Sequence, residues 1–166
     1  MMRRFSLIVG LLTLTGCGLH PLYAGGSGGA VASTLSAVSV APIAGQSGWL
    51  MRNKLVDKLG EAGSAAPAFR LDVTLDDNIT SFGIRGDRAA TRERRTLRAR
   101  YQLVSLATGA VVLDATAGSD AGIDIVSSEY ATVAAEETAL EELSDTVADQ
   151  IVARLSLYAA RTQPAK

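Results

Sequence analysis

The chain has 166 residues, 48% of them hydrophobic and 20% charged, with 16 Lys and Arg against 17 Asp and Glu. That near balance excludes the general attraction to nucleic acid that a strongly basic chain would have. A single cysteine excludes an internal disulfide.

The N-terminus decides which residues belong to the fold. Arg3 and Arg4 precede an apolar run at residues 5–14, FSLIVGLLTL. Its length suits a signal-peptide core and falls short of the roughly twenty apolar residues that a membrane-spanning helix needs. The run closes on Leu14-Thr15-Gly16-Cys17, an aliphatic residue and two small ones before a cysteine. Small groups suit the scissile bond, and the thiol after it can take a diacylglyceryl group. The expectation is a signal peptide over 1–16, removed on export, with lipidation at Cys17. A lone thiol in an oxidising compartment is thereby accounted for. Gly18, where an aspartate would favour inner-membrane retention, points to the outer membrane, with the body on its periplasmic face. Removing residues 1–16 leaves 150, enough for one domain with a sizeable core. Without Arg3 and Arg4 the balance is 14 to 17, a net charge of −3.

Residues 17–34 read as the lipidated cysteine and a Gly/Ser/Ala-rich flexible tether. A single α+β domain is expected over 35–166. Residues 35–42, LSAVSVAP, form a first strand stopped by Pro42. A helix follows: Ser47 is its candidate N-cap, Trp49 is expected to pack, and Met51, Leu55 and Leu59 recur every fourth residue. Gly60 and Gly63 end it.

Phe69, Leu71, Val73 and Leu75 alternate with Arg70, Asp72, Thr74 and Asp76, the pattern of a half-buried strand, continuing past a bulge at 77–81 towards Phe82. After a loop at 83–90, alternation resumes over 91–104. Leu97, Ala99, Tyr101 and Leu103 mark one face; Arg92, Arg94, Thr96, Arg98, Arg100 and Gln102 mark the other. Thr108-Gly109 turns the chain into a hairpin partner at 111–116, which residues 123–126 extend. From about Thr132, Leu140, Leu143, Val147, Ile151, Leu155 and Tyr158 describe the apolar stripe of a long helix. The predicted order is β-α-β-β-β-α, a two-layer sandwich with two helices on one face of a four-stranded sheet.

Catalytic chemistry is sparse. His20 is the only histidine and lies in the tether; Cys17 is expected to be a thioether; no phosphate-binding loop or dinucleotide fingerprint occurs. The chain reads as a non-enzyme with no cofactor and no metal site. The adjacent acids Asp76-Asp77, Glu136-Glu137 and Glu141-Glu142 are expected to be solvated charges, since helix neighbours point different ways. The distinctive feature is seven arginines within residues 85–100: Arg85, Arg88, Arg92, Arg94, Arg95, Arg98 and Arg100. Arg92, Arg94, Arg98 and Arg100 share strand parity, opposite the helices, with Glu93 the only acid among them. Such a row is either a solvated face guarded against aggregation or a binding face for protein or phosphorylated glycolipid, because the planar guanidinium fork suits phosphate and carboxylate.

The run Leu14-Thr15-Gly16-Cys17-Gly18-Leu19-His20-Pro21-Leu22-Tyr23 resembles the N-terminus of the LptE family, lipopolysaccharide-assembly lipoproteins of Gram-negative outer membranes. The similarity extends over the Val-rich strand ending at Pro42, the Asn53-Lys54-Leu55 helix segment, the arginine-bearing hairpin and the Ala-rich last helix. The Gly/Ser stretch at 25–29 departs from the pattern. The resemblance implies a non-enzymatic role: a plug inside the β-barrel LptD that assists its assembly and contacts lipopolysaccharide. Arg92, Arg94, Arg98 and Arg100 carry that expectation as a region. A rival reading from the residues is a lipid-anchored accessory protein of a transporter or cell-wall synthase.

Overall fold

In β2 (Phe69–Ile84), β3 (Ala90–Ser105) and β4 (Val111–Asp124), period-two alternation places apolar side chains on one side of an antiparallel meander. The computed structural model describes residues 29–60, 66–84 and 90–162. Cys17, His20, Gly63, Arg85 and Arg88 lie outside the described residues, as does the expected signal peptide.

A short strand, β1 (Val38–Val40), runs parallel to β2 at Phe69–Leu71, so the sheet order is β1-β2-β3-β4. β2 and β3 pair one-to-one from Phe69↔Ser105 to Phe82↔Arg92, without the bulge expected at 77–81. The irregularity falls instead between β3 and β4, at Leu103/Val104 beside the turn. There Gly109, at φ 70°, donates its N–H to the Ser105 carbonyl at 2.8 Å, and Ser105 donates to the Ala110 carbonyl at 2.9 Å. β4 ends at Asp124, two residues short of the expected extension.

The described architecture is α+β with three helices rather than two. α1 (Ala30–Ser36) occupies residues assigned to the tether and to the start of the first strand. Helical winding lets Leu35 enter the core while Val31 packs against its edge; an extended segment would shift those positions. β1 is therefore confined to three residues, and the order becomes α-β-α-β-β-β-α.

α2 (Gly45–Leu59) begins two residues before Ser47, and its N-cap is Ala44, with no side-chain cap. Gly48 permits this entry: a Cβ there would stand 2.7 Å from the Ile43 carbonyl oxygen. Trp49 corrects another expectation. It is 66% exposed and does not pack in the core. With Met51, Leu55 and Leu59 turned inwards, a first-turn residue two positions before Met51 lies away from that stripe.

α3 (Glu129–Thr162) starts three residues earlier than expected, because Ser128 satisfies its first turn. The Ser128 hydroxyl accepts from the Ala131 N–H at 3.4 Å, and its carbonyl accepts from the Thr132 N–H at 3.1 Å. Leu140, Leu143, Val147, Ile151 and Leu155 bury the predicted stripe against Leu71, Leu97, Ala99, Tyr101 and Leu103, together with Met51 and Leu55 of α2. Each of the buried Leu, Ile, Val and Met side chains contributes roughly 1.5–3 kcal/mol by leaving water. Tyr158 reaches Phe69 edge-to-face, with centroids 6.3 Å apart. All the described helices sit on this side, and no described element covers the other side of the three long strands.

Candidate functional site

β3 is the middle of the meander, so its even-numbered residues project from the open face between two flanking strands. Arg92, Arg94, Arg98 and Arg100 all lie there and all are exposed, as strand parity predicts. The expectation that they face little opposing charge does not hold. Glu93, at odd parity, turns to the helix side, while acids arrive from the neighbouring strands. Asp114, Asp120 and Asp124 of β4, and Asp72 and Asp76 of β2, share the open face by register. Among the described residues five arginines meet five aspartates there: four stand on β3 between the aspartates of β2 and β4, and the fifth, Arg70, lies on β2 beside Asp72.

The pairings grade along the strand. At the turn end, Arg100 grips Asp114 with Nη2 at 3.0 Å and Nε at 3.4 Å, and Gln102 donates to the same carboxylate at 2.8 Å. These two donors hold the Asp114 carboxyl below the usual carboxylate range, and Asp114 in turn raises Arg100. Arg98 lies across Gly118 and donates to the Ser119 carbonyl at 3.2 Å; a Cβ on Gly118 would stand 2.5 Å from Arg98 Cδ. Towards the hairpin tip, Arg94 is 4.0 Å from Asp120 and covers the exposed Phe82 ring at 5.5 Å, a cation–π contact. Arg92 reaches Asp124 through Nε alone, at 2.9 Å. Among the described residues the arginines at the tip are thus held by fewer bonds than Arg100 and can turn to another anion at lower cost.

Arg95, off parity, does different work. On the helix side it clasps Asp77 with two bonds of 2.9 and 2.7 Å and donates to the Glu136 backbone carbonyl at 2.8 Å. Its side chain is 13% exposed and that of Asp77 18%. The clasp pins α3 to the distal half of the hairpin. Beside it the Glu136 carboxyl is raised, first by burial and then by neighbouring Glu93, against the lowering effect of Arg95. Glu93 accepts a hydrogen bond from Ser81 on one oxygen, while its other oxygen is buried with no hydrogen-bond donor among the described residues. Glu136 is therefore not the solvated charge that its sequence position suggested. Arg95's odd parity was the available signal for this clasp.

Among the described residues no group of three His, Cys, Asp or Glu could hold a metal ion, and no helix is long and apolar enough to cross a membrane. The arrangement on the open face suits anion recognition: planar forks on a rigid strand, with Arg92, Arg94 and Arg100 beside exposed carboxylates that an incoming phosphate or carboxylate can replace.

Comparisons with known proteins agree with this architecture. No curated protein sequence matches the chain. A candidate lipoprotein of Caulobacter crescentus CB15 is similar in structure, with a TM-score of 0.66 and 27% identity, covering 82% of this chain and 100% of that one. Rare lipoprotein B of Shewanella oneidensis shares the fold at a TM-score of 0.58 and 11% identity, over 75% of this chain and 96% of its own. A minor lipoprotein of Acinetobacter baumannii does so at 0.56 and 15%, over 76% and 96%. The family model described as LptE, lipopolysaccharide-assembly, matches residues 35–155, from α1 to the buried Leu155 of α3. The chain belongs to the LptE family of lipopolysaccharide-assembly lipoproteins.

Proposed function

We propose that this protein is exported, lipidated at Cys17 and held on the periplasmic face of the outer membrane. There its folded part plugs and steadies the β-barrel LptD, and its open arginine face meets lipopolysaccharide or carboxylates of the barrel lumen. The observation that carries this reading is the exposed row Arg92, Arg94, Arg98 and Arg100 on the middle strand of a sheet face that no described element covers.

The physical logic has two parts. Lipidation confines the body to one leaflet and raises its effective concentration near a membrane partner without any new contact. Two acyl chains hold where one would anchor only marginally. The arginines supply the second part. Exposed ion pairs contribute little to stability, so exchanging Asp120 or Asp124 for a phosphate costs the fold little while retaining a charge-assisted bond. LptE proteins act in this family as accessory lipoproteins, and the role asked of these residues is recognition with no bond made or broken.

The test changes Arg92, Arg94, Arg98 and Arg100 together to serine in the lipidated protein, purified from detergent extracts. The expected result is about a tenfold or greater loss of lipopolysaccharide retention. Unchanged lipopolysaccharide binding with unchanged recovery of the barrel would remove the arginine reading and leave the scaffold. Intact-mass measurement of the mature product, with Cys17→Ser as its control, checks the anchor.

A further inference from the structure

α2 and α3 run side by side in the same direction, and along their seam acids of α3 recur every fourth residue: Glu137, Glu141, Asp145 and Asp149. The lower two meet cations of α2. Lys58 lies 2.7 Å from Asp149 and 3.1 Å from Asp145, and Lys54 lies 3.6 Å from Asp145. Lys58 is raised and Asp145 lowered by these contacts. Continuing the same spacing up α2 from Lys58 and Lys54 leads to Leu50 and Gln46, neither of which is a cation. The upper acids, Glu137 and Glu141, have no cation partner among the described residues. They line instead a cavity of about 200 Å³ with Gln46, Leu50, Leu140 and the exposed Trp49.

We propose that this notch is a docking site for an arginine side chain presented by a partner polypeptide. The seam supplies everything such a side chain needs except its own charge. Leu50 and Leu140 offer an apolar floor for the aliphatic stem. The indole of Trp49, 66% exposed, offers a face for the planar guanidinium to cover. Glu137 and Glu141, one helical turn apart, offer carboxylates for its N–H groups. The volume is below the roughly 300 Å³ typical of small-molecule sites, which favours a single side chain. The notch lies on the helix layer, away from the arginine row, so it stands or falls independently of the role proposed for that row.

Trp49 is the only tryptophan in the chain, so its fluorescence reports on the notch alone. The experiment titrates a short blocked peptide carrying two arginines into the full protein. A glutamate peptide of the same length and phosphatidylcholine vesicles serve as separate arms. The expected result is a saturable change in Trp49 emission with the arginine peptide only, weakened by added salt and weakened about tenfold in the Glu137→Gln/Glu141→Gln variant. Both glutamates are exposed, so the variant keeps its fold. An absent or non-saturable response overturns the proposal, as does equal affinity in the double variant. A blue shift with vesicles in place of the peptide would make the notch a lipid contact. A change that follows protein concentration would make it a contact between copies.

Discussion

The two faces of β3 differ in every physical respect although their residues alternate along one strand. Odd positions, Leu97, Ala99, Tyr101 and Leu103, are buried under α3 and α2; even positions, Arg92, Arg94, Arg98 and Arg100, stand in solvent between rows of aspartate. On the covered face a side chain is constrained by close packing, where even one methylene is felt. On the open face it is constrained only by charge and reach. One strand thus lets stability and recognition be altered separately, which suits a protein whose task is to fit a partner.

The covered face should break first. Leu97→Ala removes a fully buried side chain from the centre of the core and is expected to cost about 3 kcal/mol, read from the midpoint and slope of urea denaturation. A loss below about 1 kcal/mol would mean that the two faces do not divide the work as described. Arg95→Ala comes next, at about 2 kcal/mol, because it leaves the Asp77 carboxylate half-enclosed without its partner and frees the Glu136 carbonyl. Hydrogen exchange should quicken over 77–81 and 93–97 more than at the turn end of the sheet, which would distinguish a lost clasp from general destabilisation.

The smallest effect concerns pH and sharpens the comparison by sign. Burial and Glu93 raise the Glu136 carboxyl, so the folded chain binds that proton more tightly than the unfolded chain does. Its contribution to stability is present at low pH and is lost as pH rises through the raised value. Asp114 on the open face behaves oppositely: Arg100 and Gln102 lower it, so its contribution is present at neutral pH and lost as pH falls through the lowered value. Glu136→Gln should flatten the fall in thermal midpoint above the usual carboxylate range and leave the acid limb untouched. Asp114→Asn should affect only the acid limb, and only slightly, since that carboxylate is in solvent.

The arginine row illustrates what a local pattern can disclose. Parity is a property of the backbone, so the side on which Arg92, Arg94, Arg98 and Arg100 emerge was legible from their spacing. Their partners were less so. Asp114, Asp120 and Asp124 reach the same face through a register set by the turn at Thr108-Gly109 and by the irregularity at Leu103/Val104. Counting acids only near the arginines in sequence made the face look purely cationic. Trp49 departs from its local pattern for a related reason. An aromatic residue beside an apolar helical stripe is expected to pack, but the approach of Gly48 to Ile43 and the inward direction of Met51 leave it outside.

Period and composition alone determined the alternation of the three long strands, the stripe of the final helix, the α+β class and the separation of arginine from leucine along β3, because each depends on residues a few positions apart. The helical winding of residues 30–36, the Arg95–Asp77 clasp, the aspartate borders of the open face and the notch beside Trp49 were decided only by tertiary structure. Each of those joins groups far apart in the chain, and only strand register and helix packing determine which distant groups meet.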